Sequence, residues 1–231
     1  MTTLDHILFG YYPYVCLTVF TLGLAYRFER EQYTWQASSS QMLRTKRGFN
    51  LASNLFHLGI LGLLAGHVGG LLVPASFYHV LGLTDSMHQT MELVMGSLTG
   101  LATFVGLTLL LWRRINDVRI RATSSFADLA IAVLLWLTLV VGLATLPYSY
   151  ETRQTGEYLH ALSGWAQGIV MLSSDAVAEL TGVPWTFKFH IVCGLTVFLV
   201  FPFTRLVHVC SAPLGYLTRR HWQIVRSRQG G

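Results

Sequence analysis

Charge is what this 231-residue chain has least of. Only 12% of its residues are Asp, Glu, Lys or Arg and 52% are hydrophobic, while a soluble domain carries about a quarter charged residues. With a mean hydropathy of +0.49, the scarcity excludes an ordinary soluble globule and places the chain in the membrane class. The length allows five or six spans with short connections, but not a separate soluble catalytic domain, so any enzyme built on this chain needs other subunits. Cysteine is also scarce. Cys16, Cys193 and Cys210 show no CxxC pairing and no metal-ligand spacing, and without a CxxCH there is no signal for covalent haem attachment. They read as small buried hydrophobes. Period-two alternation is absent, which argues against a membrane barrel. The first residues, MTTLDHILFG, lack a basic n-region and a cleavage site, so the first apolar run is expected to stay as a span. No internal repeat, low-complexity tract or boundary-type linker divides the chain. It reads as one integral-membrane domain, 1–231, with a C-terminal tail at 211–231.

What is present are long apolar runs. A spanning helix needs about 20 mostly apolar residues, and five runs approach this: 7–26, 51–73, 93–112, 129–146 and 189–209. A sixth candidate, LHALSGWAQGIVML at 159–172, is shorter and more polar and suits a helix at the interface. Basic residues fix the direction. The formal net charge is +5, which on a soluble chain would raise nucleic acid as a partner. Here thirteen of the sixteen Lys and Arg fall in the link after the first run, the link after the third, and the tail. The positive-inside rule then gives five spans, the N-terminus outside and the C-terminus in the cytoplasm. A sixth span would put the arginine-rich tail outside. Nucleic acid is set aside; membrane lipid is the expected surrounding. The 27–50 link mixes Arg, Glu, Tyr and Trp and suits a docking surface as well as a plain loop.

Four of the nine histidines, His57, His67, His190 and His208, fall inside the second and fifth runs. Ionisable side chains in a bilayer are costly and mark sites or partnered groups. The two runs are separated by two others and so are antiparallel. That pairs His57 with His208 toward the cytoplasm and His67 with His190 toward the outside. Along continuous helices rising ~1.5 Å per residue the separations within the two runs differ, ~15 Å against ~27 Å, so a bend is needed, and Pro202 offers one. A porphyrin iron takes two axial ligands, often histidines, whereas zinc wants four ligands and no Cys, Asp or Glu shares the depth. Two non-covalent, bis-histidine b haems in a helical bundle are the expectation. Glycines 59, 62, 66, 69, 70 and 194 would admit a large cofactor, or equally serve helix–helix packing. Arg205, one turn before His208, is a candidate to meet a haem propionate, or to snorkel to the interface.

The stretches QYTWQASSSQML, GFNLASNLFHLGILGLLAGHVGG, RIRATSSFADL, LSGWAQGIV and FKFHIVCGLTVFLVFPFTRLVHVCSAPLGYLTRR resemble the gamma, or cytochrome b, subunit of membrane-bound respiratory nitrate reductase over nearly the whole chain. The resemblance implies an all-α fold of five spans in the bacterial inner membrane. It also implies haem ligation by His57 and His208 on the cytoplasmic side and by His67 and His190 on the distal side. Quinol would be oxidised near the distal haem. Electrons would then pass to an iron–sulfur beta subunit and a molybdenum alpha subunit that reduces nitrate. The lysine that the family carries near the start of the third span is missing from LTDSMHQTMEL. His88 stands near its place and is the candidate to hydrogen-bond a quinol oxygen or take its proton, beside the plainer reading of an interfacial histidine. Two other readings compete: a cytochrome b subunit of a sulfite- or heterodisulfide-type reductase, and a haem-free membrane anchor or transporter.

Overall fold

The computed structural model of the protein describes residues 2–31, 33, 35 and 48–210. The tail 211–231 and most of the 27–50 link, including its suggested docking surface, lie outside the described residues. Among the described residues five helices are long and apolar enough to cross a membrane: Thr3–Arg30, Phe49–Leu72, Asp85–Asn116, Phe126–Glu151 and Trp185–Phe203. They are called the first to fifth spans below. No strand occurs among the described residues. Large apolar side chains such as Leu22, Leu58 and Leu98 are well exposed along the spans, as a lipid-facing surface requires.

Local signals set the helix starts. Ser125 and Asp128 form a reciprocal capping box at the start of the fourth span, satisfying two backbone N–H groups that a helix N-terminus otherwise leaves open. Thr84 caps the third span through Met87 N at 3.3 Å. That span therefore begins well before its apolar run at 93, and its first turns carry the polar residues His88, Gln89 and Glu92. A hydropathy average excludes such turns although the backbone is already helical.

The spans pack in the order second, third, fourth, fifth, first. The second and third are antiparallel and close. A Cβ on Gly59 would lie 2.8 Å from Thr103 N, and one on Gly106 would lie 2.8 Å from Ala52 O and strike Phe56 N. Small residues there let the backbones touch. Trp136 Nε1 donates to Thr108 Oγ1 at 3.0 Å between the third and fourth spans. His190 Nδ1 meets Thr138 O at 3.0 Å between the fourth and fifth. The first and fifth are parallel: Lys188 pairs with Asp5 at one end (3.8 Å), and Arg27 Nη1 donates to Pro202 O at the other (2.8 Å). The second and fifth spans are not main packing neighbours, and a cleft opens between them.

The Glu157–Val170 segment forms the helix expected outside the five spans. One face of it is buried: Trp165, Ala166 and Ile169 join Phe9, Val177, Leu180 and Phe187 in one cluster, which closes the bundle at the end of the N-terminus. Pro13 has no N–H for the carbonyl of Phe9, and Trp165 Nε1 donates to that oxygen instead at 3.0 Å. Cys16 and Cys193 are buried as expected, but Cys210 is exposed.

The fifth span departs from the continuous 189–209 helix expected from hydropathy. Its α-helix ends at Val200; Phe201–Phe203 is a short 3₁₀ turn, Thr204 is extended (φ −123°, ψ 174°) and Arg205–Val209 is a second 3₁₀ turn capped by the Thr204 hydroxyl. Pro202 has no N–H to continue the ladder. The Arg27 guanidinium binds the carbonyls exposed by the break, Pro202 O at 2.8 Å and Thr204 O at 3.4 Å. His208 thus sits on a separate turn, not on the helix that carries His190, so helical phase does not relate the two.

Candidate functional site

His67 closes the regular part of the second span and is followed by a wide π-helical turn, Val68–Leu72, a local geometry often found at functional sites. The structure brings His67 and His190 together: their ring centroids are 5.9 Å apart and the planes tilt by 41°. With metal–nitrogen bonds of about 2 Å, two imidazoles on opposite sides of one metal have centroids roughly 6 Å apart. Gly142 on the fourth span makes room for this arrangement, because a Cβ there would lie 2.7 Å from His190 Cε1. The rings stand in a cleft whose walls include Gly62, Gly66, Gly70, Gly96, Gly100 and Gly142.

All four intramembrane histidines share one feature. Nδ1 lies against a main-chain carbonyl: Ser53 O for His57 (2.7 Å), Leu63 O for His67 (2.7 Å), Thr138 O for His190 (3.0 Å), and Arg205 O for His208. A carbonyl only accepts, so Nδ1 carries the proton and Nε2 carries the lone pair. This is the second-shell arrangement that fixes a histidine for metal ligation. Among the described residues no group of three or more His, Cys, Asp or Glu side chains could hold a metal ion. Two imidazoles suffice as protein ligands only where a macrocycle supplies the remaining donors. The residues present therefore fit a haem rather than a bare ion.

His57 and His208 belong to the opposite, arginine-rich half of the bundle. His57 is exposed on the second span, its ring edge-on to Phe56 at 5.1 Å. His208 depends on its turn. Arg205 holds Asp128 with Nε at 2.6 Å and Nη2 at 2.5 Å, and Arg114 approaches the same carboxylate at 3.8 Å. Paired, bidentate charges are what makes such groups tolerable in a bundle. Two of Arg205's nitrogens thus face Asp128 rather than a propionate, which leaves Nη1 for that expected role.

Of the glycines expected to admit a cofactor or serve packing, Gly59 seats the second span on Thr99 and Thr103 of the third, Gly62 rests on Thr99 while also walling the cleft, and Gly194 faces open space. His88 is buried, with its ring stacked on Tyr78 (3.8 Å between centroids, 28° between planes). Its neighbours Gln89 and Glu92, not His88 itself, line the cleft. Glu92 is the side chain that sequence reasoning missed. It lies against the second span beside His67, where a Cβ on Gly70 would meet its carboxyl carbon at 3.1 Å. Its sequence signal is its position four residues after His88, at the lip of an uncharged run. Asp128 and Gly142 were missed as well.

Comparison with known proteins agrees with this architecture. Residues 5–228 match the nitrate reductase gamma subunit family. The respiratory nitrate reductase 2 gamma chain of Escherichia coli K12 is 48% identical over 218 residues, covering 94% of this chain and 95% of that one. The respiratory nitrate reductase 1 gamma chain of the same strain is 43% identical, covering 99% and 100%. The nitrate reductase gamma chain of Bacillus subtilis 168 is 40% identical, covering 93% and 95%. With its five spans and its paired histidines, the chain belongs to the nitrate reductase gamma subunit family.

Proposed function

We propose that this chain is the membrane cytochrome b subunit of a respiratory nitrate reductase, oxidising quinol in the cleft and relaying electrons across the membrane. The observation that carries the reading is the His67–His190 ring pair, 5.9 Å apart across a glycine-walled cleft. Haem b bound by His67 and His190, and a second by His57 and His208, would supply one-electron acceptors and donors. The chain's own residues do the positioning. The carbonyls of Ser53, Leu63, Thr138 and Arg205 fix the tautomer and aim of each imidazole. Gly142 leaves the space that the His190 ring occupies. The Asp128–Arg205 pair and Arg27 hold the turn of His208. Gln89 and Glu92 put polar groups into a mainly apolar cleft, as recognition of a quinol hydroxyl requires.

With the orientation expected from the basic links, this quinol site would lie toward the outside of the bacterial inner membrane and the His57–His208 half toward the cytoplasm. There the arginine-rich end would face an iron–sulfur beta subunit and, through it, a molybdenum alpha subunit reducing nitrate. The E. coli relatives, named as gamma chains of respiratory nitrate reductase, support the partner and the terminal acceptor.

The test uses the complex purified by a tag on this chain. A pyridine haemochrome assay is expected to give two b haems per chain. His57→Ala or His208→Ala should each remove one haem and stop quinol-driven nitrate reduction, while nitrate reduction from a soluble artificial donor persists. Absence of haem, or equal loss of both activities in an assembled complex, overturns the relay.

A further inference from the structure

We propose that Glu92, His88 and the Asp85–His79–His160 cluster form a proton path from the cleft to the bundle end that carries the N-terminus; the proposal rests on quinol oxidation in that cleft. Glu92 lines the cleft. His88 lies one helical turn back, its Nε2 3.7 Å from Glu92 Oε1. The imidazole is only 6% exposed, and Nε2 is a buried nitrogen with no hydrogen-bond partner among the described residues. An unsatisfied buried nitrogen costs free energy and asks for a reason. Three residues further back is Asp85, at the first position of the same helix. Its Oδ1 takes His79 Nε2 at 2.7 Å and His160 Nε2 at 3.3 Å, and these three side chains are 42%, 52% and 41% exposed respectively.

Residues 85, 88 and 92 share one helix face, and the seven residues rise about 10 Å. The series therefore runs from the cleft to the surface in two steps. Every member exchanges a proton readily: carboxyl, imidazole, carboxyl, then two surface imidazoles. Neither basic side chain of the links at this end joins the series. Arg153 binds Tyr150 O and Lys188 faces Asp5. Tyr78 covers His88 and anchors itself on Gly69 O at 3.0 Å, so His88 meets the cleft through Glu92. A helix N-terminus alone would not need an imidazole buried behind a carboxylate; a proton path does.

In the step itself the O–H bond of one quinol hydroxyl breaks. Its proton goes to a Glu92 carboxylate oxygen, and its electron would leave to an oxidised haem b, which His67 and His190 would hold. Glu92 then protonates His88 at Nε2, and the imidazolium loses its Nδ1 proton toward Asp85 and the surface histidines. Glu92 is thereby reset for the second hydroxyl, and His88, left as the Nε2–H tautomer, accepts again once it has returned to the Nδ1–H tautomer.

The experiment uses the assembled complex with menadiol as donor. Glu92→Gln should slow haem reduction by menadiol at least tenfold and enlarge its solvent isotope effect. The haem spectrum and reduction by dithionite should stay as in the unmodified complex. Formate added to the buffer should restore much of the lost rate. Independently of turnover, infrared difference spectra of the quinol-free complex across a pH step should show a carboxyl band that Glu92→Gln removes. His88→Gln should slow the reaction while leaving the affinity for a quinone analogue unchanged. Menadiol oxidation by Glu92→Gln at the unmodified rate overturns the path. So does a slowed variant that formate does not rescue and that binds the quinone analogue weakly, since that marks a binding role alone. If the unmodified complex takes no electrons from menadiol, quinol oxidation itself is wrong and the path falls with it.

Discussion

Replacing Gly142 by alanine separates ligation from folding. The new Cβ would lie 2.7 Å from His190 Cε1 and 3.2 Å from its Nδ1, roughly 0.8 Å short of ordinary carbon–carbon contact at about 3.5 Å. The obstacle is the end of a side chain, not backbone, so the imidazole can yield by rotating about χ1 and χ2. Yielding breaks the 3.0 Å bond to Thr138 O, a net loss of about 1 kcal/mol. Alanine for glycine within a helix returns about 1 kcal/mol of propensity, so the fold should hold. Ligation is far less forgiving, because a metal–nitrogen distance tolerates only about 0.2 Å of error and the ring must move several times that. The expected result is a complex that assembles and melts near the unmodified temperature. It should show one b haem per chain by pyridine haemochrome, or two haems with one altered low-spin signal in electron paramagnetic resonance. Two haems with both signals unchanged would refute the placement of His190 as a ligand.

Three further expectations follow from named contacts. Asp128→Asn leaves Arg205 and Arg114 facing each other without their shared carboxylate; breaking such a pair costs about 3–5 kcal/mol. Thermal unfolding should drop, and loss of the haem at His57 and His208 should precede any change at His67 and His190. Trp165→Phe keeps the ring packing but leaves Phe9 O without the donor that replaces the missing Pro13 N–H, which should cost about 1–3 kcal/mol, readable as a lower melting temperature. Gly106→Ala places a methyl against Phe56 N and Ala52 O, backbone atoms that cannot swing aside. It should part the second and third spans and lower the yield of folded chain in detergent, as size-exclusion chromatography will report.

The span count was legible because lipid imposes long uncharged runs, and the His67–His190 pairing followed from alternation of direction. The antiparallel contacts between the second and third spans, and between the fourth and fifth, reproduce that alternation. What hydropathy hid were polar groups whose partners are distant in sequence. Glu92 looked like the last residue of a loop because an average cannot say that a carboxylate at a span's start faces a cleft rather than water. Arg205 reads as a propionate or interface residue, and its carboxylate partner Asp128 stands 77 positions away, so only folding pairs them. The break after Val200 was half visible: Pro202 announced a bend, but the extended Thr204 and the second short turn depend on Arg27 binding the freed carbonyls.

The packing order has a consequence for synthesis. The first span to leave the ribosome finds its main neighbour in the fifth, the last to be made. Until then it lacks its main spanning neighbour, which lipid tolerates because its backbone bonds are internal. The pairing of Asp5 with Lys188, and of Arg27 with the carbonyl of Pro202, can form only after translation has passed the fifth span. A chain stalled before that point would hold four inserted helices with the first lacking its main spanning neighbour and held at its N-terminal end through Phe9 and Trp165. Closure of the bundle is therefore a late checkpoint that reports on completion of the spans.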